Sequence, residues 1–344
     1  MTNAWIEIDD FKLWDSVLAE KEQASFLQSS AFGKFHQSLG NKVWYLGKMK
    51  GNKLSGLCLV VKLASKTGSF LYVPGGPFID DWEEDFPSLA KFLGQLGKDE
   101  RVSFVRLDAR EIGSQQLKLI EQFELKESPT YTQPQCTLIL NLDKSLDELK
   151  KGLSASTRYN IGWVERQGVA VKVSEKPSDI EIFNKLLAET AARHHFRLVN
   201  KPDYYREQFL SFARADQAKL YLTYGPGKLS NEVLSAAIVI YFGKTATYLH
   251  AASSSKAPKL RAPYLMVWKA IADAQEAGFK FYDFWGVAKD ESPKDPWAGV
   301  TTFKKSFGGE RRCYEKPYDL VLDNKGYYFS IFGEKARNIL KRLR

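Results

Sequence analysis

The residues best placed to do chemistry in this sequence lie in a short amphipathic segment near residue 300. Phe303 and Phe307 are four positions apart, so they share one face if the segment is helical. Lys304 then projects from the edge of that face, next to buried surface, where its ammonium group can reach a developing negative charge. The same pattern fits an ordinary helix end, in which lysine complements the helix dipole and Gly308 ends the helix. The choice between these two interpretations depends on the rest of the sequence.

Two carboxylates lie at the end of, or within, predicted strands. Asp108 follows the strand predicted for residues 102–107, and Asp283 lies within the strand predicted to begin at Phe281. An acid at the carboxyl end of a sheet strand is well placed to orient or deprotonate an amine. A helix cap or a salt bridge is the alternative interpretation of either carboxylate.

Other kinds of catalytic site have no matching motif in this sequence. The four histidines lack metal-ligand spacing, and there is neither a GxSxG motif nor a Walker loop. Cys58, Cys136 and Cys313 are far apart and form no CxxC pair. We therefore interpret all three as buried thiols and expect no disulfide framework, no metal and no other cofactor.

The charge of the 344-residue chain indicates an anionic partner. Its 50 lysines and arginines against 41 aspartates and glutamates give a formal net charge of +9. RNA, a phosphorylated carrier and an anionic membrane surface all fit this charge, and so does a purely solubilising role. The N-terminus lacks the apolar core of a signal peptide and no apolar run is long enough to span a membrane, so we expect a cytoplasmic protein.

Hydrophobic patterning predicts an α+β fold in which one order of elements, β-β-β-α-β, occurs twice, about 175 residues apart. The first copy has predicted strands at 43–48, 54–63, 69–73 and 102–107 and a helix near Pro87. The second copy has predicted strands at 220–224, 233–242, 247–252 and from 281, and a helix from Pro263. This order is typical of tandem N-acetyltransferase-like (GNAT-like) domains with mixed central sheets.

A short helical insertion is predicted between the copies. Ser145 and Glu148 form a capping box at its start, and a second box is predicted to open a helix at Ser178. The insertion mixes basic and aromatic side chains: Lys150, Lys151, Arg158, Tyr159, Trp163 and Arg166. Such a surface could bind nucleic acid through phosphate contacts and stacking, although a solvated helix face has the same composition. The last predicted helix, residues 333–344, is also basic and predicts peripheral contact with an anionic membrane.

The loop before the helix of the second copy argues against coenzyme A. Acetyltransferases of this fold hold the CoA pyrophosphate on backbone N–H groups of a glycine-rich loop that leads into a helix. The matching loop, residues 253–263, has no glycine and contains two prolines, which offer no N–H group. We keep CoA-dependent N-acyl transfer as the alternative function.

Four stretches of the sequence together resemble one enzyme family. They are SLDELKKGLSASTRYNIGWVERQGVAVKV from residue 145, ATYLHAASS from 246, APYLMVWKAIADAQEAGFKFYDFWGV from 262 and GVTTFKKSFGGE from 299. The earlier FLQSSAFG and LYVPGGPFIDDW fit the same pattern. Over roughly residues 25–320 the sequence resembles the Fem (FemABX) peptidyltransferases, which add amino acids from aminoacyl-tRNA to the stem peptide of peptidoglycan.

The resemblance implies an architecture and a set of partners. It implies two acetyltransferase-like domains, with the C-terminal end packed on the first, in the compact form without a coiled-coil arm. We assign residues 1–145 and 317–344 to the first domain and residues 146–316 to the second. The implied donor is aminoacyl-tRNA, and the implied acceptor is a peptidoglycan precursor, either UDP-MurNAc-pentapeptide or lipid II. We expect a monomer.

The resemblance also implies the catalytic residues. The Phe-Lys pair of the family corresponds to Phe303 and Lys304, and its strand-end acid corresponds to Asp108. Its strand tyrosine, which the resemblance implies is a substrate-binding residue, corresponds to Tyr248. In the reaction that this implies, the amine proton passes to Asp108, to a ribose hydroxyl or to water, and Lys304 stabilises the tetrahedral oxyanion.

The resemblance identifies the residues of the precursor site less precisely. Family members carry a lysine that contacts the precursor diphosphate near the N-terminus, but His36 stands at that position here and Lys34 lies two residues before it. The remaining candidates for the phosphates and sugar of the precursor are Arg193, Arg197, Tyr204 and Tyr205. We predict an aminoacyltransferase that moves an amino acid from aminoacyl-tRNA to an amine of the stem peptide.

Overall fold

The computed structural model describes residues 4–21, 24–51, 53–110, 112–174, 176–194, 198, 200–290 and 292–342, with side chains through residue 336. The strands are β1 (Trp5–Glu7), β2 (Val43–Lys50), β3 (Lys53–Ser65), β4 (Gly68–Pro74), β5 (Phe78–Ile79), β6 (Phe104–Asp108), β7 (Lys126–Glu127), β8 (Cys136–Asn141), β9 (Ala170–Ser174), β10 (Ala218–Tyr224), β11 (Val233–Phe242), β12 (Thr245–Ser253), β13 (Phe281–Val287), β14 (Glu310–Cys313) and β15 (Tyr318–Val321). The helices are α1 (Phe11–Glu20), α2 (Ser30–Ser38), α3 (Trp82–Asp99), α4 (Ser114–Gln122), α5 (Leu146–Gly152), α6 (Ala155–Arg166), α7 (Ile180–Arg193), α8 (Pro202–Ala213), α9 (Ala257–Leu260), α10 (Ala262–Glu276), α11 (Ala298–Lys305) and α12 (Asn324–Arg342).

The chain forms two compact units. The first comprises Met1–Gln133 with Tyr314–Arg344, and the second comprises Pro134–Cys313. The boundary expected after residue 145 lies beyond β8, whereas β8 pairs with β13 and β14 of the second unit. The helices expected as an insertion also belong to the second unit, where α6 packs on α10 and α7 packs on β12.

Within its described residues, the first unit holds a sheet in the order β1-β2-β3-β4-β6-β15-β7, with β5 beside β3. β4 and β6 run parallel, and β15 returns from the end of the chain to pair with β6. Apolar side chains of α3, among them Phe86, Leu89 and Leu93, pack against strand residues such as Leu71 and Val105. This apolar stripe at helical spacing is the feature that made α3 recognisable from the sequence.

The second unit repeats this plan in the order β14-β8-β13-β12-β11-β10-β9. β12 and β13 run parallel, and β8, which precedes the second copy in the chain, pairs with β13. In both sheets, therefore, the strand beside the parallel pair comes from outside the repeated β-β-β-α-β order. The structure confirms the predicted duplication and the α+β class with two mixed sheets.

The sequence predicted the start of α5 correctly but misplaced the starts of α7 and α3. The capping box at Ser145 is confirmed, since Glu148 N donates to Ser145 Oγ at 3.3 Å and Ser145 N donates to Glu148 Oε2 at 2.9 Å. The box expected at Ser178 was wrong, because Pro177–Asp179 forms a 3₁₀ turn and α7 begins after it. α3 begins five residues before Pro87, where the side chain of Asp81 accepts a hydrogen bond from Glu84 N at 3.0 Å. A side-chain cap thus outweighed the preference of proline for a first turn.

The cysteine prediction was wrong for two of the three residues. Cys136 of β8 and Cys313 of β14 lie directly opposite each other and form a disulfide, with their Cα atoms 4.0 Å apart. Cys58 is a buried free thiol, as expected. The two paired cysteines are 177 residues apart in sequence, so only the pairing of β14 with β8 brings them together. Sequence spacing holds no trace of that pairing.

Among the described residues, no helix is both long and apolar enough to cross a bilayer.

Candidate functional site

Lys304 is a buried cation at the end of α11. Its side chain is 7% exposed, and its Nζ donates a hydrogen bond to the carbonyl oxygen of Gly286 at 2.7 Å. Phe303, the residue before it, packs edge-to-face against Tyr264 and Phe307 at centroid distances of 5.1 and 5.2 Å. These aromatic contacts hold α11 against α10, so the ammonium group is fixed on β13 rather than free in solvent.

An irregularity in β13 presents the carbonyl group that Lys304 contacts. The pairing of β13 with β8 is interrupted between Asp283 and Gly286, and Trp285 has a positive φ of 60°. The carboxylate of Asp283 stabilises this bend by accepting hydrogen bonds from Trp285 N, at 2.7 Å, and from Thr137 Oγ1. A positive φ at tryptophan is unfavourable, and such conformations often occur at functional sites.

Glycine is required at residue 286 because an aromatic ring occupies the space of a side chain. A Cβ atom there would lie 2.0 Å from Cζ3 of Trp297. Thr301 of α11 adds a further link by accepting a hydrogen bond from Ala288 N at 2.8 Å. The end of β13 and α11 therefore form one packed assembly around the Lys304 ammonium group.

The protonation of Lys304 is set by burial and by one carboxylate. Removal from water lowers the pKa of Lys304 to about 8, and the nearby charge of Asp283 opposes that change. The side chain is therefore still mostly cationic near neutral pH, in surroundings of low polarity. A cation in such surroundings interacts more strongly with a developing negative charge than one in water.

The two parallel strands of the second unit separate beside this assembly. Their pairing ends at Thr247 and Asp283. β12 then continues beside β11 to Ser253, while β13 continues beside β8 to Val287. Tyr248, the first residue of β12 beyond the separation, is buried, and burial raises its pKa. The structure thus brings Tyr248, Asp283 and Lys304 to one region of the second unit.

Asp108 occupies the equivalent position in the first unit. The parallel pairing of β4 with β6 ends at Pro74 and Asp108. The carboxylate of Asp108 accepts a hydrogen bond from Tyr72 Oη at 2.5 Å, and Gln133 Nε2 donates to the same Tyr72 oxygen at 3.2 Å. Burial raises the pKa of Asp108, although the hydrogen bond from Tyr72 and the charge of Arg110 oppose the rise. A buried carboxyl with a raised pKa is suited to accept a proton.

The two candidates for the diphosphate contact differ in exposure. His36 is buried against the rings of Phe32 and Phe35, and burial lowers its pKa to about 4, so the ring is neutral. Lys34 is exposed, and its ammonium group lies 4.8 Å from the ring centroid of Phe11. Lys34 is consequently the better candidate for contact with a diphosphate.

The candidates on α7 and α8 make contacts within the fold. Arg193 donates hydrogen bonds to the backbone oxygen and to Oγ of Ser253, at 3.0 and 2.8 Å, and so fastens α7 to the end of β12. Tyr205 is buried against the imidazole of His250, with ring centroids 5.1 Å apart, and its neighbour Tyr204 is half-buried. Arg197 lies outside the described residues.

A basic and aromatic corner lies where α6 meets the start of α10. The guanidinium group of Arg261 lies 5.0 Å from the ring centroid of Trp163 and 5.6 Å from that of Tyr159. Its Nη1 also donates to Asn160 Oδ1 at 2.6 Å, and Tyr159 is 59% exposed. The sequence pattern indicated Tyr159 and Trp163 as part of a basic and aromatic surface. It did not indicate Arg261, which contacts them from another segment. Within the described residues, no three metal-ligating side chains are grouped closely enough to bind a metal ion.

Comparisons with known proteins agree on one family and one fold. A sequence model described as the FemAB family matches residues 10–128, 122–226 and 227–314. The Lipid II:glycine glycyltransferase of Staphylococcus epidermidis (strain ATCC 35984) is 22% identical over an alignment that covers 82% of this chain and 83% of that protein.

Solved structures give the same picture of the fold. A crystal structure of FemX has a TM-score of 0.84 at 18% identity and covers 95% of this chain and 99% of its own. L-PGS from Bacillus licheniformis has a TM-score of 0.58 at 14% identity, with coverage of 95% and 96%. A tandem GNAT protein from the clavulanic acid biosynthesis pathway has a TM-score of 0.53 at 11% identity, with coverage of 92% and 96%. These similarities confirm two tandem acetyltransferase-like domains.

Proposed function

Because this chain belongs to the FemAB family, we propose that it is an aminoacyltransferase that builds the interpeptide bridge of peptidoglycan. The proposed acceptor is an amine on the stem peptide of a peptidoglycan precursor, either lipid-linked or nucleotide-linked. The glycyltransferase to which the chain is similar is named for lipid II and glycine, which supports a precursor of this chemical class. The proposed donor is an aminoacyl-tRNA.

The observation that carries the proposal is the buried ammonium group of Lys304 on the bent end of β13. In aminoacyl transfer the amine attacks the ester carbonyl, a C–N bond forms, and the carbonyl oxygen becomes an oxyanion. The C–O bond to the ribose then breaks, and the ribose oxygen takes up a proton. A fixed cation near this oxyanion lowers the barrier because the negative charge exists only along the reaction path.

The proton of the attacking amine needs an acceptor. Asp108 remains our candidate base, because burial raises its pKa towards the range in which a carboxylate accepts protons effectively. The ribose hydroxyl and water are the alternatives. Tyr248 remains a candidate for contact with the donor, and Lys34 is our candidate for the diphosphate of the precursor. Arg193, Tyr204 and Tyr205 are weaker candidates, because Arg193 and Tyr205 are engaged inside the fold.

The corner formed by Arg261, Tyr159 and Trp163 supports an RNA donor. An exposed aromatic ring can stack on an unpaired base, and an arginine held beside it can contact a phosphate. The surface of Tyr159 is available for such stacking, since more than half of the residue is exposed. We propose that this corner contacts the single-stranded end of the tRNA.

Coenzyme A fits the start of α10 poorly. A CoA pyrophosphate would need backbone N–H groups at the start of α10. Pro263 has no N–H group, and Tyr264 N already donates a hydrogen bond to the oxygen of Arg261 at 3.1 Å. Two of the first three residues of α10 therefore offer no free donor.

The decisive experiment is a transfer assay with a defined acceptor. The protein is incubated with charged tRNA and either lipid II or UDP-MurNAc-pentapeptide, and the product is identified by mass spectrometry. We expect the acceptor to gain one aminoacyl residue and the reaction to stop after RNase treatment. Transfer that resists RNase and depends on an acyl-CoA would overturn the proposal in favour of the acetyltransferase alternative.

A further inference from the structure

The C-terminal helix α12 exposes a group of large aromatic side chains. Within five residues of one another, this helix carries three side chains that are 61%, 61% and 73% exposed: Tyr328, Phe329 and Phe332. At 100° per residue the three fall within one third of the helix circumference. A contiguous apolar patch of this kind on a soluble surface usually marks an interaction site.

The opposite side of α12 is fixed to the first unit. Tyr327 and Ile331 pack in a small core with Phe104. Ser330 Oγ donates to Thr67 O at 2.8 Å, and a side chain at Gly333 would lie within 3 Å of Thr67. The helix therefore cannot turn about its axis to bury the aromatic residues without breaking these contacts.

A buried ion-pair network adds to this anchoring. Arg106, whose side chain is 1% exposed, pairs with Asp319 of β15 at 2.8 Å and with Glu334 of α12 at 3.2 Å. Thr130 Oγ1 donates to the same Glu334 carboxylate at 2.6 Å. Separating a buried pair leaves an uncompensated charge, so the outward orientation of the aromatic side chains is strongly held.

Lysines surround the aromatic group. Lys325 and Lys335 are exposed and lie three residues before Tyr328 and three after Phe332, on the same face of the helix. The ammonium group of Lys126 lies 5.4 Å from the ring centroid of Tyr328. Aromatic side chains with a lysine rim fit the headgroup region of an anionic bilayer, where the rings enter the interface and the lysines meet lipid phosphates.

We propose that this aromatic face, formed by Tyr328, Phe329 and Phe332 with the lysines around it, is a docking surface for an anionic membrane. A second copy of the chain fits less well, because a symmetric contact would bring the same lysines together. The net charge of +9 favours an anionic surface as well. The inference goes beyond the proposed transfer reaction and does not depend on it. A lipid-linked acceptor would place its stem peptide at such a surface.

Vesicle co-sedimentation without any substrate tests the docking surface. We expect the protein to bind vesicles that contain phosphatidylglycerol and to bind pure phosphatidylcholine vesicles weakly. The double variant Phe329→Ser/Phe332→Ser should lower the partition coefficient about tenfold or more, because the apolar contact is lost. Lys325→Glu and Lys335→Glu should each lower it about fivefold or more, and added salt should lower it further.

The matched control is Leu117→Ser, which removes a 42% exposed apolar side chain from α4, away from this face. It should bind vesicles as the wild type does, and thermal melts should show that every variant is folded. Equal binding by the double variant and the wild type, or equal binding to both kinds of vesicle, would overturn the proposal. Loss of a concentration-dependent dimer in the double variant, seen by sedimentation velocity, would assign the face to a second copy instead. Transfer to UDP-MurNAc-pentapeptide tests the proposed function separately, because that acceptor has no lipid.

Discussion

Replacing Lys304 by methionine should separate catalysis from folding. Methionine keeps the length and the apolar stem of lysine but removes the ammonium group that donates to Gly286 O at 2.7 Å. If that group stabilises the oxyanion, its loss should cost about 2.7–4 kcal/mol of transition-state stabilisation, or roughly 10²–10³ in kcat. kcat and kcat/KM should fall together, because the interaction exists only in the transition state.

The stability of the Lys304→Met variant should move differently from its activity. Burial lowers the pKa of Lys304 to about 8, from 10.5 in the unfolded chain. Below pH 8 the folded state therefore carries a charge that burial disfavours, and this gap corresponds to about 3 kcal/mol. Removing the charge offsets the unsatisfied carbonyl of Gly286, whose cost is about 1–3 kcal/mol. We expect the melting temperature at pH 7 to stay level or rise.

The pH dependence of stability should also differ between the wild type and Lys304→Met. The unfolded chain holds the Lys304 proton more tightly than the folded one, so wild-type stability should rise between pH 8 and 10.5, and this rise should shrink in Lys304→Met. The catalytic rate should fall above about pH 8, as the ammonium group loses its proton.

Lys305→Met is the matched control, since it removes the neighbouring lysine of the same helix and should change kcat little. Steady-state kinetics and thermal melts on both variants test whether Lys304 has a catalytic role. Equal losses of kcat, or a Lys304→Met variant that loses stability in step with activity, would refute a catalytic role.

Four further outcomes are expected. Asp108→Asn should lower kcat about 10²–10⁴-fold if the carboxylate is the base. Tyr72→Phe should move the rising limb of the pH–rate profile to higher pH, because the lost hydrogen bond favours the charged carboxylate. Cys313→Ser, or reduction of the wild type, should lower the free energy of unfolding by about 2–5 kcal/mol, since the disulfide with Cys136 closes a loop across 177 residues; melts that do not respond to reductant would argue against the bond. Tyr159→Ala should raise the KM for aminoacyl-tRNA about fivefold or more at unchanged kcat, and an unchanged KM would place the RNA contact elsewhere.

The sequence was informative wherever one segment alone determines its structure. β11 and β13 begin where apolar and aromatic runs predicted them, because such a run is a local feature of the sequence. The proximity of Phe303 and Phe307 also followed from helical spacing, and their rings are in contact. The position of Lys304 beside this face could therefore be predicted, but its bond to a backbone carbonyl could not.

The remaining features depend on which distant segments meet. The bend at Trp285 forms because Asp283 accepts hydrogen bonds from both Trp285 N and Thr137, and Thr137 comes from a strand that precedes the second copy. Arg261 joins Tyr159 across about a hundred residues of sequence for the same reason. Neither contact leaves a local pattern, since arginine in a loop and aspartate in a strand occur in many settings.

The two copies of the fold place an aspartate at the same structural position, but the two carboxylates have different surroundings. Asp108 and Asp283 each stand where the parallel pairing of their sheet ends, and both are buried. Asp108 accepts a hydrogen bond from Tyr72 that opposes the change, but burial dominates and raises the pKa of the carboxyl. Asp283 instead holds the bend of β13 and supports the positive charge of Lys304 against burial. Equivalent positions of the two copies therefore hold one carboxyl with a raised pKa and one carboxylate that stabilises a buried cation.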